Sequence, residues 1–382
     1  MTRTWKSGVV HRENIILEGG PYKENPYMAK QVKIKDIAKM AGVSSGTVDR
    51  ILHNRGNVSA ASREAVEKAL QETGYRYNIH TSAVSLKKTY KIVIAIPTAI
   101  QGEYWGTIQK GIEHAFQEYS DITIDCEYAY YNQFDIYSCR SSFDTILDRN
   151  PSAVILGATF ASETTVLCRK LDEKRIPYVF VDSVIANTHP SATYSSDQDA
   201  CGRIVGRMLN LFTPRDTELA VFGSRRIGNE RATNSMTRMN GLKKYFDSLK
   251  YKRVIKESKI SVLDPDESKK NILEFLDNNP KVKGIAVLNS RGFILADILA
   301  SQGINDIRII TFDMTVNNVR CVENGTISAI IHQRPELQGF YAVKGIIRIL
   351  LYNIPDKNVH HLMPADIIIK ENLPIYKEIY SE

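Results

Sequence analysis

Residues 33–59 read KIKDIAKMAGVSSGTVDRILHNRGNVS. Ile34, Ile37, Ala38 and Ala41 recur at spacings of three and four, which predicts a short helix with one apolar face. Gly42 follows, the residue type that ends a helix in the left-handed region, and Val43 turns inward across the break. Ser44 can cap a second helix, because its hydroxyl accepts a free backbone N–H. Val48, Ile51 and Leu52 face back toward the first helix, leaving Ser45, Gly46, Thr47 and Arg50 outward. Ser59 caps a third helix, Ala60 to Glu72, which buries Val66, Ala69 and Leu70 and ends at Gly74. Two short helices at a tight turn, the second opening on small polar residues and closing beside basic ones, form a helix-turn-helix whose second helix suits the DNA major groove.

An ordinary three-helix bundle with a solvated basic face has the same periodicity. Charge agrees with the first reading. Residues 30–88 carry eleven Lys/Arg against five Asp/Glu, so six of the chain's net +7 sit in this small segment. A local basic patch is what phosphate contacts need, and it makes binding salt-dependent.

The stretches IKDIAKMAGVSSGTVDRILH and VSAASREAVEKALQETGYRYN resemble the DNA-binding headpiece of LacI-family transcription regulators, almost without gaps. The resemblance implies a role for each matching position. Ser45, Gly46 and Arg50 match positions that read base edges, and Gly46 reads less because it has no side chain. Ser44, Thr47, Asn57 and Ser59 match positions that hold phosphates. Asp49 and His53 depart from the family pattern, so the operator sequence is not legible here. A carboxylate at position 49 is repelled by phosphates unless it accepts from a cytosine amino group or pairs with an arginine. In the family a hinge helix follows, whose leucine wedges into the minor groove. Here Tyr77 replaces the usual Pro, and Ala83-Val84-Ser85-Leu86 comes two residues late. Leu86 is taken as the wedge, with Lys87 and Lys88 on backbone phosphates. An ungapped count puts Val84 there instead, and a plain linker is the bland reading.

Residues 1–29 show no helical or alternating period and no apolar run of a signal peptide or anchor. They read as a disordered arm or as untranslated leader, with Met28 a possible start. The expected organisation is 30–78 helix-turn-helix, 79–89 hinge and 90–382 effector-binding domain.

From Tyr90 onward, short β-rich runs alternate with amphipathic segments: KIVIAIP, ITIDCEYAY, AVILGA, PYVFVD, ELAVFG, GIAVLN, RIITFD, SAIIHQ and ADIIIK, with helices such as Gly106–Ser120 and Pro335–Asn353 between them. That is the pattern of parallel sheets covered by helices. A length of about 290 residues exceeds one typical core, so two subdomains are expected. The fold class is therefore an α/β core of two parallel-sheet, Rossmann-like subdomains preceded by a small all-α domain. This region is similar to the periplasmic-sugar-binding-protein-like core of the same family. That similarity implies three crossings, with an N-subdomain at about 90–193 and 334–361 and a C-subdomain at about 194–333 and 362–382.

Ligands in such folds bind beyond the carboxyl ends of strands. Tyr104 and Trp105, in a loop after the first strand, can face a sugar's C–H surface or serve as core aromatics. Asn234 and Arg238 precede Gly241 in the family's R-x-x-G pattern, and arginine can fork to two acceptors. Asn289, Asp313 and Gln333 end three strands, with Ser290 where the family has Asp and Gly339 six residues after Gln333. These seven residues form a polar ring with an aromatic floor, suited to a neutral or weakly charged carbohydrate. Asp182, Asp197, Arg225, Arg226 and the Tyr128–Tyr131 run are weaker candidates; the two arginines meet either solvent or an anionic ligand, the latter in the alternative that the same fold senses a non-sugar or phosphorylated effector.

Catalytic signatures are missing. There is no P-loop, GxGxxG, H-E-x-x-H or G-x-S-x-G, and the eight His and five Cys show no metal spacing. The five Cys lack a CxxC pair and read as reduced thiols of a cytoplasmic protein. The expectations are thus a DNA-binding regulator, in the family's usual mode a repressor, controlled by a small-molecule effector. It is not an enzyme and has no cofactor, metal or membrane partner. The C-terminal residues show no heptad extension, so a homodimer is expected. A solute-binding protein would need an export signal and no basic headpiece; an α/β enzyme would need a catalytic group.

Overall fold

The computed structural model describes residues 34–52, 58–73, 89–120, 122–228, 232–352 and 359–380. The expectations for residues 1–33, His53, Asn57, Tyr77 and the hinge with Leu86 lie outside them. The chain divides into two compact units, residues 1–77 and 78–382.

In the first unit, α1 (Ile34–Met40), α2 (Ser45–Leu52) and α3 (Ala60–Thr73) close over a core of Ile37, Ala38, Val48, Ile51, Val66 and Ala69. Gly42 stands at φ +65°, as the turn requires. Ser44 Oγ accepts from the Thr47 backbone N–H at 3.1 Å, and Ser59 Oγ accepts from that of Ser62 at 3.2 Å. Each serine thus satisfies one of the free donors at a helix start.

The second unit contains two sheets. The first has strand order β11-β5-β4-β3-β1-β2, all parallel. Its strands are β1 (Tyr90–Pro97), β2 (Ile124–Tyr131), β3 (Ala153–Gly157), β4 (Tyr178–Val181), β5 (Ala192–Ser196) and β11 (His360–Met363). The second has order β12-β10-β9-β8-β6-β7, built from β6 (Glu218–Ser224), β7 (Ile255–Ile260), β8 (Val282–Val287), β9 (Arg308–Phe312), β10 (Ala329–His332) and β12 (Asp366–Ile368). Only the β10–β12 pairing among these is antiparallel. Along β1, Ile92, Ile94 and Ile96 enter one core while Val93 and Ala95 enter the core on the opposite face. The two-residue period of a strand thus feeds two helix layers, as in a doubly covered sheet.

The chain crosses between sheets after β5, after β10 and after β11. Two expected boundaries need correction: 193/194 falls inside β5, which stays in the first sheet to Ser196, and 361/362 falls inside β11. Three strands also went unread. ATYSS of β5 is fully buried but lacks the usual Val, Ile and Leu, IKESKI of β7 is a charged edge strand, and HHLM of β11 is a polar edge.

The helices of this unit are α4 (Tyr104–Gln117), α5 (Ile136–Asp144), α6 (Ala161–Glu173), α7 (Gln198–Phe212), α8 (Thr233–Asp247), α9 (Pro265–Asp277), α10 (Gly292–Ser301), α11 (Val316–Glu323), α12 (Pro335–Tyr352) and α13 (Leu373–Tyr380). One packing sets the position of the site. Helices α7 and α8 meet through Gly202 and Gly241. A Cβ at Gly202 would lie 2.0 Å from the Arg238 carbonyl oxygen, and one at Gly241 would lie 2.1 Å from that of Asp199. Only glycine admits this approach, which draws the start of α8 over the strand ends.

Candidate functional site

On the headpiece, Ser44, Ser45, Gly46, Arg50 and Ser59 are exposed, and Thr47 is partly so. The hydroxyls of Ser44 and Thr47 lie 3.0 Å apart and bond to each other. The start and outer face of α2 therefore present small polar groups and one guanidinium.

In the larger unit, a cavity of about 610 Å³ opens between the carboxyl ends of the two sheets. Its wall contains Tyr104, Trp105, Asn234, Arg238, Asn289, Asp313 and Gln333 together. They come from α4, α8 and the ends of β8, β9 and β10, so chain folding assembles residues more than two hundred positions apart. Tyr104 and Trp105 are not in a loop as expected. They form the first turn of α4, and both are buried, packed in the core of the first sheet and lining the cavity.

The polar groups are cross-bonded. Arg238 donates from Nε to Gln198 Oε1 at 2.7 Å, from Nη1 to the Leu288 carbonyl at 2.8 Å and from Nη2 to Gln333 Oε1 at 2.8 Å. Its guanidinium lies 3.8 Å over the Phe312 ring. Gln333 Nε2 donates to both oxygens of Asp313, at 3.2 and 3.0 Å. Tyr104 donates its hydroxyl proton to Asp182 Oδ1 at 2.6 Å, and Asn234 Nδ2 donates to Asp182 Oδ2 at 3.0 Å. Such a network holds its members in fixed rotamers, which spares a ligand the entropy of ordering them.

Asp182 and Asp313 are the buried carboxyl groups of the wall. Each follows a strand and takes a left-handed backbone, at φ 70° and 63°, a conformation aspartate tolerates better than most residues. Burial pushes the Asp313 carboxyl up to about 7, against the opposing pull of Arg238. Burial also raises Asp182, again with Arg238 opposing. The Tyr104 hydroxyl is driven well above its ordinary range by burial and then by the Asp182 charge. Asn289 is engaged locally: Nδ2 donates to Ser224 Oγ at 2.9 Å, and Oδ1 accepts from the Arg291 N–H at 2.9 Å.

Of the weaker candidates, Asp182 belongs to the centre of the network and Arg226 lines the cavity. The sequence signal for Asp182 was available, since PYVFVD ends in Asp as RIITFD does. Asp197 caps α7 by accepting from the Ala200 N–H. Arg225 pairs with Glu267 at the surface. Tyr131 is core, while Tyr128 and Tyr130 stack on each other at 5.2 Å. Gln133, Thr159 and Gln198 were not singled out at all; nothing in a lone Gln or Thr marks it.

The two subdomains touch across the cleft. Arg291 Nη1 lies 2.7 Å from Glu103 Oε2, and the Val316 N–H donates to the Gly102 carbonyl at 3.0 Å. Ile227 forms a single β-bridge with Asp135. The cleft is thus closed in this structure.

Residues 33–78 match the family model of bacterial regulatory proteins of the lacI family, and residues 92–352 match the periplasmic binding protein domain. This chain belongs to the LacI family. It is a DNA-binding transcription regulator with a periplasmic-binding-protein-like domain. The HTH-type transcriptional regulator RegA of Clostridium saccharobutylicum is 25% identical over 288 residues, covering 72% of this chain and 77% of RegA. DegA of Bacillus subtilis is 34% identical over 97 residues, 25% of this chain and 28% of DegA. Among solved structures, a protein described as a LacI transcriptional regulator from Bacteroides fragilis superposes with a TM-score of 0.72 at 28% identity, covering 76% of this chain and all of that one. GanP, a glucose-galactose binding protein from Geobacillus stearothermophilus, has the same fold, with a TM-score of 0.66 at 22% identity over 75% of this chain and 99% of GanP.

Proposed function

We propose that this LacI-family regulator is a cytoplasmic repressor whose operator affinity is set by a carbohydrate bound in the cleft. The observation that carries this reading is the cavity wall: two buried carboxylates, Asp182 and Asp313, stand among the donors Arg238 and Asn234 and beside the rings of Tyr104 and Trp105. Carboxylates accept from paired ring hydroxyls, and aromatic faces cover C–H surfaces. The fold relative GanP, by its name a sugar-binding protein, is consistent with this ligand class.

In this reading Ser45, Gly46 and Arg50 read base edges, Ser44, Thr47, Asn57 and Ser59 hold phosphates, and Leu86 wedges the minor groove. Two chains pair and present two headpieces to a pseudo-palindromic double-stranded operator. Effector favours the closed cleft, and closure changes the spacing of the headpieces. The enzyme alternative has no residue assigned to it.

The test is a thermal-shift screen of the full chain against monosaccharides, disaccharides and sugar phosphates. A ligand specific to the folded state raises the melting temperature by mass action. The expected result is a shift with a carbohydrate that is lost in Asp313→Ala and that changes operator binding in a mobility-shift assay. A shift unchanged in Asp313→Ala would place the effector elsewhere.

A further inference from the structure

Arg226 follows β6 of the second sheet, yet its side chain is received by the other subdomain. Nε donates to the Gln133 carbonyl at 3.1 Å and Nη2 to the Thr159 carbonyl at 3.0 Å. The guanidinium lies 3.8 Å over the Phe160 ring. The next residue fastens the backbone there as well, since the Ile227 N–H donates to the Phe134 carbonyl at 2.7 Å and the Ile227 carbonyl accepts from the Ile136 N–H at 3.3 Å. The guanidinium is thus buried between the subdomains; Arg226 is 7% exposed, and Nη1 is buried with no hydrogen-bond partner among the described residues.

Three other cations of the cavity wall have carboxylates near them. Arg238 lies between Asp182 and Asp313, Arg291 pairs with Glu103, and Lys243 pairs with Glu257. Among the described residues no carboxylate pairs with Arg226. Burial lowers its guanidinium to about 10, opposed only by Tyr131 and Cys139. Carbonyls satisfy hydrogen bonds but leave the charge uncompensated, and an uncompensated buried charge opposes the state that buries it. Closure without a counter-ion is disfavoured for that reason.

We propose that the effector of this cleft carries an anionic group, a carboxylate or a phosphate on a sugar-sized molecule, and that this group supplies the counter-charge to Arg226 on closure. The inference rests on the carbohydrate-sensor reading and narrows its ligand class. A ligand shifts an equilibrium only by its differential affinity for the two states. An anion beside Arg226 has such a difference, because the groups that bury the guanidinium, Gln133, Thr159 and Phe160, belong to the opposite subdomain.

The experiment measures the melting temperature of the full chain against inorganic phosphate, acetate and chloride at matched ionic strength, in the native protein, Arg226→Lys, Arg226→Gln and Arg226→Met. Comparing variants cancels general salt effects and any anion bound at the headpiece. The expected result is a saturable stabilisation by phosphate or acetate beyond chloride, kept at least in part by Arg226→Lys and lost in the two neutral variants. Preference for phosphate points to a sugar phosphate, and preference for acetate to a sugar acid. The proposal is overturned if neither anion exceeds chloride in the native protein, a result that needs no variant to fold. It is overturned equally if the excess persists in a neutral variant. A neutral sugar whose shift is lost in Asp313→Ala but kept in Arg226→Gln would also overturn it while leaving the sensor reading intact. Failure of the full chain to bind any operator would instead remove the regulatory reading.

Discussion

At the scale of single residues, Asp313 is the most exposed to test. Its carboxyl is raised from 3.8 to about 7 by burial, so the folded state holds a proton that the unfolded chain has released. The stability from this group is fully present below about pH 4 and is lost as pH rises through about 7. The denaturation midpoint of the effector domain should therefore fall between pH 4 and pH 7, and Asp313→Asn should flatten that fall. Some slope should remain, because Asp182 is shifted in the same direction. A urea-unfolding series across this pH range checks it; equal slopes in both proteins would contradict the burial argument. Arg50 is exposed on α2 and matches a base-reading position. Arg50→Ala should weaken operator binding by about 1–3 kcal/mol with effector binding unchanged. A fluorescence-anisotropy titration at several salt concentrations, set against the effector-induced thermal shift, reads both.

At the scale of elements, the joint between α7 and α8 decides whether the cavity wall assembles. Asn234 and Arg238 ride on α8, and the Gly202–Gly241 contact sets how near that helix lies. Gly241→Ala forces a methyl against the Asp199 carbonyl. The helices must separate, costing about 1–3 kcal/mol, as overpacking does. Effector affinity should drop together with stability, since Arg238 leaves Gln333 and the Leu288 carbonyl. A thermal melt paired with a ligand titration checks this; a destabilised variant with native affinity would show that α8 tolerates displacement. The strand elements show where sequence patterning stops. The runs AVILG and YVFV sit deep in the first sheet and announce themselves by continuous apolar residues. ATYSS is just as buried, but its hydroxyls break the run, and Thr193 spends its Oγ1 on the β11 side, at the Val359 carbonyl and His360 Nδ1. Edge strand IKESKI pairs on one side only, so solvent tolerates its lysines and glutamate.

At the scale of the whole molecule, effector and operator must influence each other by the same factor, because coupling free energy is reciprocal. Saturating effector and saturating operator should shift each other's dissociation constants equally, and two titrations, each with the other ligand present, measure it. Equal affinities with and without the partner would leave the cleft without a regulatory role. The sequence by itself determined the headpiece, since its helix period, Gly42 and the two serine caps are local and need no distant partner. It also determined the α/β class and the strand ends from which Asn289, Asp313 and Gln333 project. Only the tertiary structure decided that Asp182 joins them, that Tyr104 and Trp105 open a helix, and that Arg226 reaches into the opposite subdomain. The physical reason is that a polar residue at a strand end carries no local mark of what it will face. Its partners are set by three chain crossings and by one close helix contact, and those bring together residues that are remote in sequence.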